Sequence, residues 1–223
     1  MRVVELFYSL QGEGLLAGVP SVFIRLAGCP LRCHWCDTPY AWDFETGAEY
    51  DVASLDARVR QFECQHVVIT GGEPLVGPDL AVRPNLVELT QRLEDAGTHI
   101  TIETAGPLFV PDLACDLMSI SPKLSNANSG YSSTDPLTIA SLAAAYDYQF
   151  KFVVESERDI ASIQEMLEAL GNIDRHRVML MPQARTRAEL IARGPIIAEL
   201  CLRMGYAFSP RLHVMLWDNE KGK

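Results

Sequence analysis

The sequence predicts an α/β protein folded as an incomplete, open parallel β/α barrel of about six βα units. Short apolar, β-branched runs alternate with longer segments in which apolar residues recur every three or four positions. This alternation is typical of parallel strands joined by right-handed helical crossovers. A closed eight-unit barrel usually takes about 250 residues, and the chain has 223. We therefore expect the barrel to stay open.

The predicted strands are short apolar, β-branched runs that cover residues 21–27, 66–70, 99–103, 117–121, 148–154 and 177–182. A last extended stretch is predicted over 206–213. Periodic apolar residues predict helices over 51–62, 84–96, 160–170 and 187–204, with a shorter Ala-rich helix over 137–146. The polar segment 123–135 is predicted to be a long loop, either a lid or a disordered excursion. Without repeats or a Gly-, Pro- or Ser-rich linker, residues 1–223 are expected to form a single domain.

Composition excludes several classes of protein. With 48% hydrophobic and 22% charged residues, the chain can bury a full core and is not disordered. A net charge of −10 leaves no basic surface for nonspecific binding of nucleic acid. The N-terminus has no signal-peptide core, and no apolar run is long enough to span a membrane. The six cysteines do not form the pattern of a secreted disulfide framework. We expect a cytoplasmic protein.

Three cysteines stand close together in the run from Gly28 to Thr38, at positions 29, 33 and 36. Three thiolates at this spacing can hold three irons of a four-iron, four-sulfur cluster, in which a fourth thiolate is usual. Because no further cysteine lies nearby, one iron would stay open. Open metal positions are typical of reactive sites, so the loop predicts redox or radical chemistry.

Two alternatives stay open on the cysteines alone. The spacing i, i+4, i+7 is also that of a buried helix face, although Gly28, Pro30 and Pro39 disfavour a sustained helix. The other alternative is a zinc site, in which the fourth ligand would be His34, His66 or Asp37.

Polar or glycine-containing clusters follow nearly every candidate strand, at 28–38, 71–74, 103–106, 121–123, 181–183 and near His213. In parallel α/β folds, ligands bind at the carboxyl ends of the strands, where the loops converge. Core packing does not require polar residues there, whereas one shared pocket does. The placement of these clusters also favours an open barrel over a doubly wound sheet.

Two glycine-rich segments suggest ligand contacts. Gly71 and Gly72 lack a Cβ, so a ligand can approach the backbone closely, although an ordinary strand-to-helix turn is the more common reason for a lone Gly-Gly. The segment 10–14 (LQGEG) presents the amide of Gln11 and the carboxylate of Glu13. Together these groups suit a ring with alternating donors and acceptors, such as a pterin or purine edge.

Charged residues among apolar neighbours suggest further contacts. Arg25 lies in the apolar run VFIRLAG, so it is expected either to face the pocket and bind an anion or to pair with Glu13 or Glu73. Glu103 follows an apolar strand and can accept hydrogen bonds from a substrate amine, or pair with a nearby Arg or Lys. Lys123 can bind a carboxylate, or it is an ordinary surface lysine.

Two residues of the cysteine loop have possible roles beside a cluster. Trp35 can cover the cluster or pack against an adenine ring, and a core anchor is the alternative. The hydroxyl of Thr38 is a hard oxygen that Mg²⁺ accepts as a ligand, although a turn role is more common.

Together, these residues resemble the radical S-adenosylmethionine superfamily. The resemblance rests on the C-x3-C-x-aromatic-C loop with Trp35 and on GGEP at 71–74, after the next strand. Within the superfamily, the chain resembles the 7-carboxy-7-deazaguanine synthases of queuosine and other deazapurine biosynthesis. Six segments carry that resemblance: LQGEG (10–14), GVPSVFIRLAGCPLRCHWCDT (18–38), TGGEPL (70–75), IETAG (102–106), SPK (121–123) and SPRLHVMLW (209–217).

The resemblance implies a lyase-type radical enzyme with a 4Fe-4S cluster, S-adenosylmethionine and Mg²⁺. The reaction it implies is the ring contraction of 6-carboxy-5,6,7,8-tetrahydropterin to 7-carboxy-7-deazaguanine with loss of ammonia. It also implies an electron donor such as flavodoxin or ferredoxin, and a homodimer. The alternatives are a glycyl-radical-enzyme activase of the same superfamily and a non-catalytic zinc or iron–sulfur module. The activase would leave LQGEG and Arg25 unexplained.

The resemblance also implies roles for individual residues. The cluster ligands would be Cys29, Cys33 and Cys36, and the Mg²⁺ ligand would be Thr38. S-adenosylmethionine would be bound by Trp35, Cys36, Asp37, Gly72, Ser121, Pro122 and Lys123. The substrate would be bound by Leu10, Gln11, Gly12, Glu13, Arg25, Thr70 and Glu103. No role is assigned to residues 181–183 or 218–223.

Overall fold

The chain forms a nine-stranded sheet covered by helices in a computed structural model that describes residues 1–128, 135–218 and 220–223. The strands are β1 (Arg2–Leu10), β2 (Pro20–Leu26), β3 (Ala48–Glu49), β4 (His66–Gly71), β5 (His99–Thr104), β6 (Leu117–Ile120), β7 (Tyr148–Val154), β8 (Val178–Pro182) and β9 (Ala207–Phe208). The α-helices are α1 (Val52–Arg60), α2 (Leu86–Asp95), α3 (Pro136–Ala145), α4 (Asp159–Leu170), α5 (Arg187–Met204) and α6 (Leu212–Trp217). Short 3-10 helices cover Pro39–Ala41, Ser125–Ala127 and Arg175–Arg177.

The sheet is parallel except at one edge. Its order is β3-β1-β2-β4-β5-β6-β7-β8-β9. All neighbours from β2 to β9 pair in parallel, whereas β1 pairs antiparallel with both β2 and β3. Because β3 and β9 are separate edges, the barrel is incomplete and open, as the sequence predicts.

Alternation along the strands separates the core from the barrel interior. Ile24, Ile102 and Phe150 are fully buried in the main hydrophobic cluster between sheet and helices. Because successive strand residues point to opposite faces, the polar residues next to them, such as Arg25 and Glu103, face inward. The residues that follow the strands at their carboxyl ends extend this polar interior into a cavity.

The gap between the sheet edges is covered by the loop that follows β1. The Gly12 carbonyl accepts the Leu212 N–H at 2.8 Å, and the Gly14 N–H donates to the Ser209 hydroxyl at 2.9 Å. The Leu15 N–H donates to the Gln149 side chain at 2.7 Å. We call this loop-mediated contact, between residues 12–15 on one side and β7, Ser209 and α6 on the other, the seam.

The six predicted strands and five predicted helices are present, with small shifts at their ends. β1 was not predicted, because most of its residues are half-buried on both faces and no strict alternation marks it. The extended stretch predicted over 206–213 is present only as the two-residue strand β9, and its second half is wrong. β9 ends at Phe208 and His213 lies in α6, since Pro210 cannot donate to a ladder and the chain turns there.

Part of the polar loop predicted over 123–135, residues 129–134, lies outside the described residues, so its prediction as a lid or a disordered excursion stays a prediction. In its described part, Ser125–Ala127 form a 3-10 helix. Within the described ranges, none of the helices combines the length and apolarity needed to cross a membrane.

Candidate functional site

A cavity of about 530 Å³ opens at the carboxyl ends of the parallel strands. Every residue with a predicted site role lines it, except Pro122. The unassigned Met181 and Lys221 line it as well. Lys221 places its ammonium 4.2 Å from the centre of the Tyr40 ring. The common pocket inferred from the strand ends is therefore present.

The cysteine loop forms the part of the cavity next to the carboxyl end of β2. Gly28 adopts a positive φ of 92° and donates to the Ala41 carbonyl at 2.8 Å, which turns the chain out of the strand. Cys29 and Cys33 are buried, and Cys36 is half-buried. No helix forms over these residues, so the alternative of a buried helical stripe is wrong.

The cysteines fit a four-iron cluster better than zinc. Burial raises the pKa of Cys29 to about 12 and also raises that of Cys33. Among the described residues, no three His, Cys, Asp or Glu side chains gather around one point that could hold a single metal ion. Zinc requires such a point, whereas a cluster places its three thiolates on three different irons.

His66, a candidate zinc ligand, lies elsewhere. Its Nδ1 is 2.7 Å from the Ser21 hydroxyl and its Nε2 is 2.9 Å from the Thr101 hydroxyl, inside the sheet. Both ring nitrogens are therefore engaged away from the cysteines. His34 is directed to the Ala127 carbonyl and to Glu155.

Trp35 and Lys123 form one wall of the cavity. The Lys123 ammonium lies 5.6 Å from the centre of the Trp35 ring and donates to the Ser121 carbonyl at 2.7 Å and hydroxyl at 2.9 Å. The indole Nε1 of Trp35 is buried and has no hydrogen-bond partner among the described residues. A buried donor without a partner is costly, and a ligand with an acceptor atom would satisfy it. The Thr38 hydroxyl lies 3.8 Å from the Cys36 sulfur.

The glycines of the GGEP segment allow two loops to touch. A Cβ on Gly72 would lie 2.2 Å from the Gly28 carbonyl oxygen, and one on Gly71 would lie 2.2 Å from that of Leu26. The Glu73 N–H donates to the Gly28 carbonyl at 2.8 Å. The lack of side chains thus serves close packing of the GGEP segment against the cysteine loop.

Glu73 fixes the loop after β5. Its buried carboxylate accepts the Thr104 hydroxyl at 2.7 Å, the Ala105 N–H at 2.8 Å and the Leu75 N–H at 3.1 Å. Burial raises the pKa of Glu73 despite these bonds. Arg83, to which the sequence assigned no role, donates to the Ala27 carbonyl at 2.7 Å. It thereby ties the GGEP segment to the start of the cysteine loop.

Arg25 pairs with Glu5, a partner that the sequence did not suggest. The Arg25 Nε donates to the Glu5 carboxylate at 2.6 Å, and the Tyr40 hydroxyl donates to the same carboxylate at 3.0 Å. The expected pairing with Glu13 or Glu73 is therefore wrong. Burial alone would lower the pKa of Arg25, but Tyr40 and Glu5 raise it above its ordinary value.

A network of ion pairs crosses the cavity. Lys151 donates to Glu13 at 2.9 Å and to Glu103 at 2.9 Å. Arg211 donates to Glu13 at 3.1 Å and also to Asp37. The sequence analysis assigned no role to Lys151 or Arg211. The charge of Lys151 in the apolar run YQFKFVV is the same signal that indicated Arg25.

An open β/α barrel with a three-cysteine loop at the carboxyl end of its first parallel strand defines a radical S-adenosylmethionine enzyme. The family model of the radical SAM superfamily matches residues 23–125, which contain the loop and the GGEP segment. This family implies a 4Fe-4S cluster and S-adenosylmethionine, and a reductant and a small-molecule substrate are consistent with it.

The chain belongs to the 7-carboxy-7-deazaguanine synthase family. It is 41% identical to the 7-carboxy-7-deazaguanine synthase of Halobacterium salinarum, over 98% of this chain and 91% of the relative. It is 31% identical to that of Escherichia coli K12, over 95% of this chain and 96% of the relative. The crystal structure of QueE from Escherichia coli matches with a TM-score of 0.75 and 29% identity, covering 95% of this chain and 94% of that one.

Proposed function

We propose that the protein converts 6-carboxy-5,6,7,8-tetrahydropterin to 7-carboxy-7-deazaguanine with loss of ammonia, in the biosynthesis of queuosine or a related deazapurine. One observation carries the proposal: the cysteine loop and the ring-binding candidates of LQGEG line the same cavity. The family relationship over nearly the whole chain supports it. It leaves no specific support for an activase or for a non-catalytic module.

The chain's own residues suit the two cofactors. Cys29, Cys33 and Cys36 would hold a 4Fe-4S cluster and leave one iron open. S-adenosylmethionine bound beside that iron would supply the radical chemistry that removes a substrate hydrogen. The residues proposed to hold it are Trp35, Cys36, Asp37, Gly72, Ser121, Pro122 and Lys123, of which all but Pro122 line the cavity.

The substrate would lie against the polar interior of the barrel. A 2-amino-4-oxo ring edge offers N–H groups, from which Glu13 and Glu103 would accept hydrogen bonds. The side-chain amide of Gln11 can both donate and accept. The Arg25 guanidinium, oriented through its Nε by Glu5, keeps further N–H groups for the substrate carboxylate. Thr70 stands beside Arg25 in the register of β2 and β4, so its hydroxyl is offered to the same end of the substrate. Leu10 and Gly12 complete the binding surface proposed for the ring.

We place Mg²⁺ at Thr38, which presents a hydroxyl to the cavity beside the cysteine loop. A hard cation there would be shared with substrate oxygens and waters. The proposal further includes a single domain over 1–223, a cytoplasmic location, a homodimer, and flavodoxin or ferredoxin as the electron donor.

The test is anaerobic reconstitution with iron and sulfide, reduction, and addition of S-adenosylmethionine, Mg²⁺ and 6-carboxytetrahydropterin. Mass spectrometry should detect 7-carboxy-7-deazaguanine, and the product should disappear when S-adenosylmethionine is omitted. Omission of Mg²⁺ should lower the rate if Thr38 holds the ion. Release of 5′-deoxyadenosine without this product would reject the substrate while retaining the class of chemistry.

A further inference from the structure

Lys151 lies between the two carboxylates proposed to bind the substrate ring. It stands in the middle of β7, and its side chain is only 3% exposed. Its Nζ is 2.9 Å from Glu13 Oε2 and 2.9 Å from Glu103 Oε1. One buried ammonium therefore bridges an acid from the loop after β1 and an acid from β5.

The bridge leaves one oxygen of Glu103 open. Glu103 Oε1 accepts from Lys151 and, at 3.3 Å, from Gln11 Nε2. Within residues 1–128, 135–218 and 220–223, no side chain or backbone group donates to Glu103 Oε2. Since Glu103 lines the cavity, anchoring Oε1 presents Oε2 as the acceptor for a ligand.

The second acid is held at both oxygens. Lys151 occupies Oε2 of Glu13 and Arg211 donates to Oε1 at 3.1 Å. The Nε2 of His213 is 4.0 Å from that same oxygen. The further lone pairs of both oxygens can accept from a ligand, so Glu13 is fixed in orientation without losing its acceptor capacity.

Charge balance explains why a lysine is needed between these acids. A buried carboxylate is costly unless a cation lies beside it. Lys151 is the cation that both acids share, whereas Arg211 pairs with Glu13 and not with Glu103. Burial alone would raise the pKa of Glu13, but Lys151 and Arg211 hold it well below its usual range. Burial would likewise lower the pKa of Lys151, but Glu103 and Glu13 hold it well above its usual range.

We propose that Lys151 is a positioning residue that sets ring specificity. It keeps Glu13 and Glu103 as oriented acceptors, so that the cavity takes a ring edge with adjacent N–H donors and rejects one with a carbonyl at that place. This inference rests on the proposed function and deepens it. The ligand class is a 2-amino-4-oxopyrimidine fused to a carboxylated ring, as opposed to the corresponding 2,4-dioxo ring.

A purely structural lysine would behave differently. If Lys151 only neutralised buried charge, its loss would weaken folding or all ligand binding alike. A specificity role predicts that discrimination between two ligands collapses. The two ligands for the test are 6-carboxypterin and 6-carboxylumazine, which carry an amino group and a carbonyl at the same ring position.

The experiment measures binding of both fluorescent ligands to the cluster-loaded protein by titration, with iron and sulfide content as the check on folding. The wild type should prefer 6-carboxypterin by at least about tenfold. In a site that accepts N–H donors, the ring carbonyl of 6-carboxylumazine would face a carboxylate oxygen and make no hydrogen bond. Lys151→Met removes the donor that orients Glu13 Oε2 and Glu103 Oε1, so the two acceptors lose their fixed placement and the preference should fall to about twofold or less. Lys151→Arg should keep most of it.

Glu103→Gln is a second variant for the case in which Lys151→Met does not fold, because it removes a buried acid instead of leaving one without its cation. It should also lose the preference, since its amide offers both a donor and an acceptor. An unchanged preference in Lys151→Met overturns the proposal. If Lys151→Met does not hold a cluster, an unchanged preference in Glu103→Gln overturns it instead. A wild type that discriminates between the ligands but makes no 7-carboxy-7-deazaguanine would contradict the proposed function and not this inference.

Discussion

Glu5 and Arg25 are directly opposed residues of the antiparallel pair β1 and β2, and the Arg25 Nε donates to the Glu5 carboxylate at 2.6 Å. Only about a sixth of the Arg25 side chain is exposed, and the Glu5 side chain is similarly covered, at 16% and 18%. A partly buried, charge-assisted pair of this kind restricts the guanidinium to one orientation. β1, which lies between β2 and the short edge strand β3, thus orients the guanidinium that we propose binds the substrate carboxylate.

Replacing Glu5 with Gln should weaken substrate binding. Without the carboxylate, Arg25 loses its orienting partner, so KM for the carboxylated substrate should rise by about tenfold, equivalent to about 1.4 kcal/mol. Steady-state kinetics would measure this. Glu45→Gln is the control, since Glu45 pairs with Arg2 in an exposed position, and its KM should be unchanged. Equal KM values for both variants would contradict the role of Glu5.

Cys33→Ala should abolish cluster-dependent activity. Losing one of three thiolates should lower turnover more than about a hundredfold, because even outer-shell changes at metal sites cost 10–100-fold. Iron and sulfide analysis would show the loss of cluster directly. Cys64→Ala is the matched control, because Cys64 lies before β4, where its sulfur contacts backbone carbonyls. Full turnover in Cys33→Ala would remove the basis for the cluster.

Gly72→Ala should separate the GGEP segment from the cysteine loop. The new methyl group would lie 2.2 Å from the Gly28 carbonyl oxygen, a backbone atom that cannot move alone. Overpacking at such a contact typically costs 1–3 kcal/mol, and we expect about 2 kcal/mol together with lower iron content. Urea unfolding would measure the cost.

The control for Gly72 is Gly194→Ala. A Cβ at Gly194, which lies in α5, would meet no atom within 4 Å other than those of its chain neighbours. Alanine favours helix over glycine by up to about 1 kcal/mol, but the ring of Pro195 disfavours a helical residue with a Cβ before it, so this variant should change stability little and keep its iron content. Comparable losses in both variants would show that the loop contact at Gly72 is not the cause.

His66 should make stability depend on pH between 4 and 6.5. Burial, reinforced by His99, lowers the pKa of His66 from 6.5 to about 4. In this window the unfolded chain binds a proton that the folded chain does not, so stability is full above pH 6.5 and falls as the pH drops. The shift corresponds to about 3 kcal/mol.

The measurement for His66 is urea unfolding at several pH values for the wild type and His66→Gln. Glutamine keeps a donor and an acceptor for the Ser21 and Thr101 hydroxyls but does not titrate. The wild type should lose about 3 kcal/mol more than the variant between pH 6.5 and 4. Parallel pH profiles would show that the histidine does not carry this dependence.

Strand–helix order was predictable because periodicity reports directly on burial. The parallel strands are covered by helices, so each reads as an apolar run, and the polar interruptions mark residues that face inward. Arg25 was found this way, and Lys151 would have been found by the same rule. β1 was missed because a strand that is half-buried along most of its length leaves no such pattern.

Which acid pairs with which cation across the cavity could not be predicted from the sequence. Glu5 and Arg25 are 20 positions apart, and Glu13 and Arg211 are 198 apart. Which acid meets which cation depends on strand register and on how far the sheet curls, and local pattern fixes neither. The sequence could therefore supply the charged groups of the site, but not the pairing that decides which oxygens remain for a ligand.

The seam joins the loop after β1 to the other side of the barrel through single hydrogen bonds and not through a strand ladder. A ladder between strands repeats its hydrogen bonds along its length, whereas the seam depends on a few contacts such as those of Gly14 and Leu212. The amide hydrogens of these residues should therefore exchange with deuterated solvent sooner than those in β4 or β5. Their exchange rate would report how often the hydrogen bonds of the seam open. A bound ligand that contacts both sides of the seam should slow this exchange.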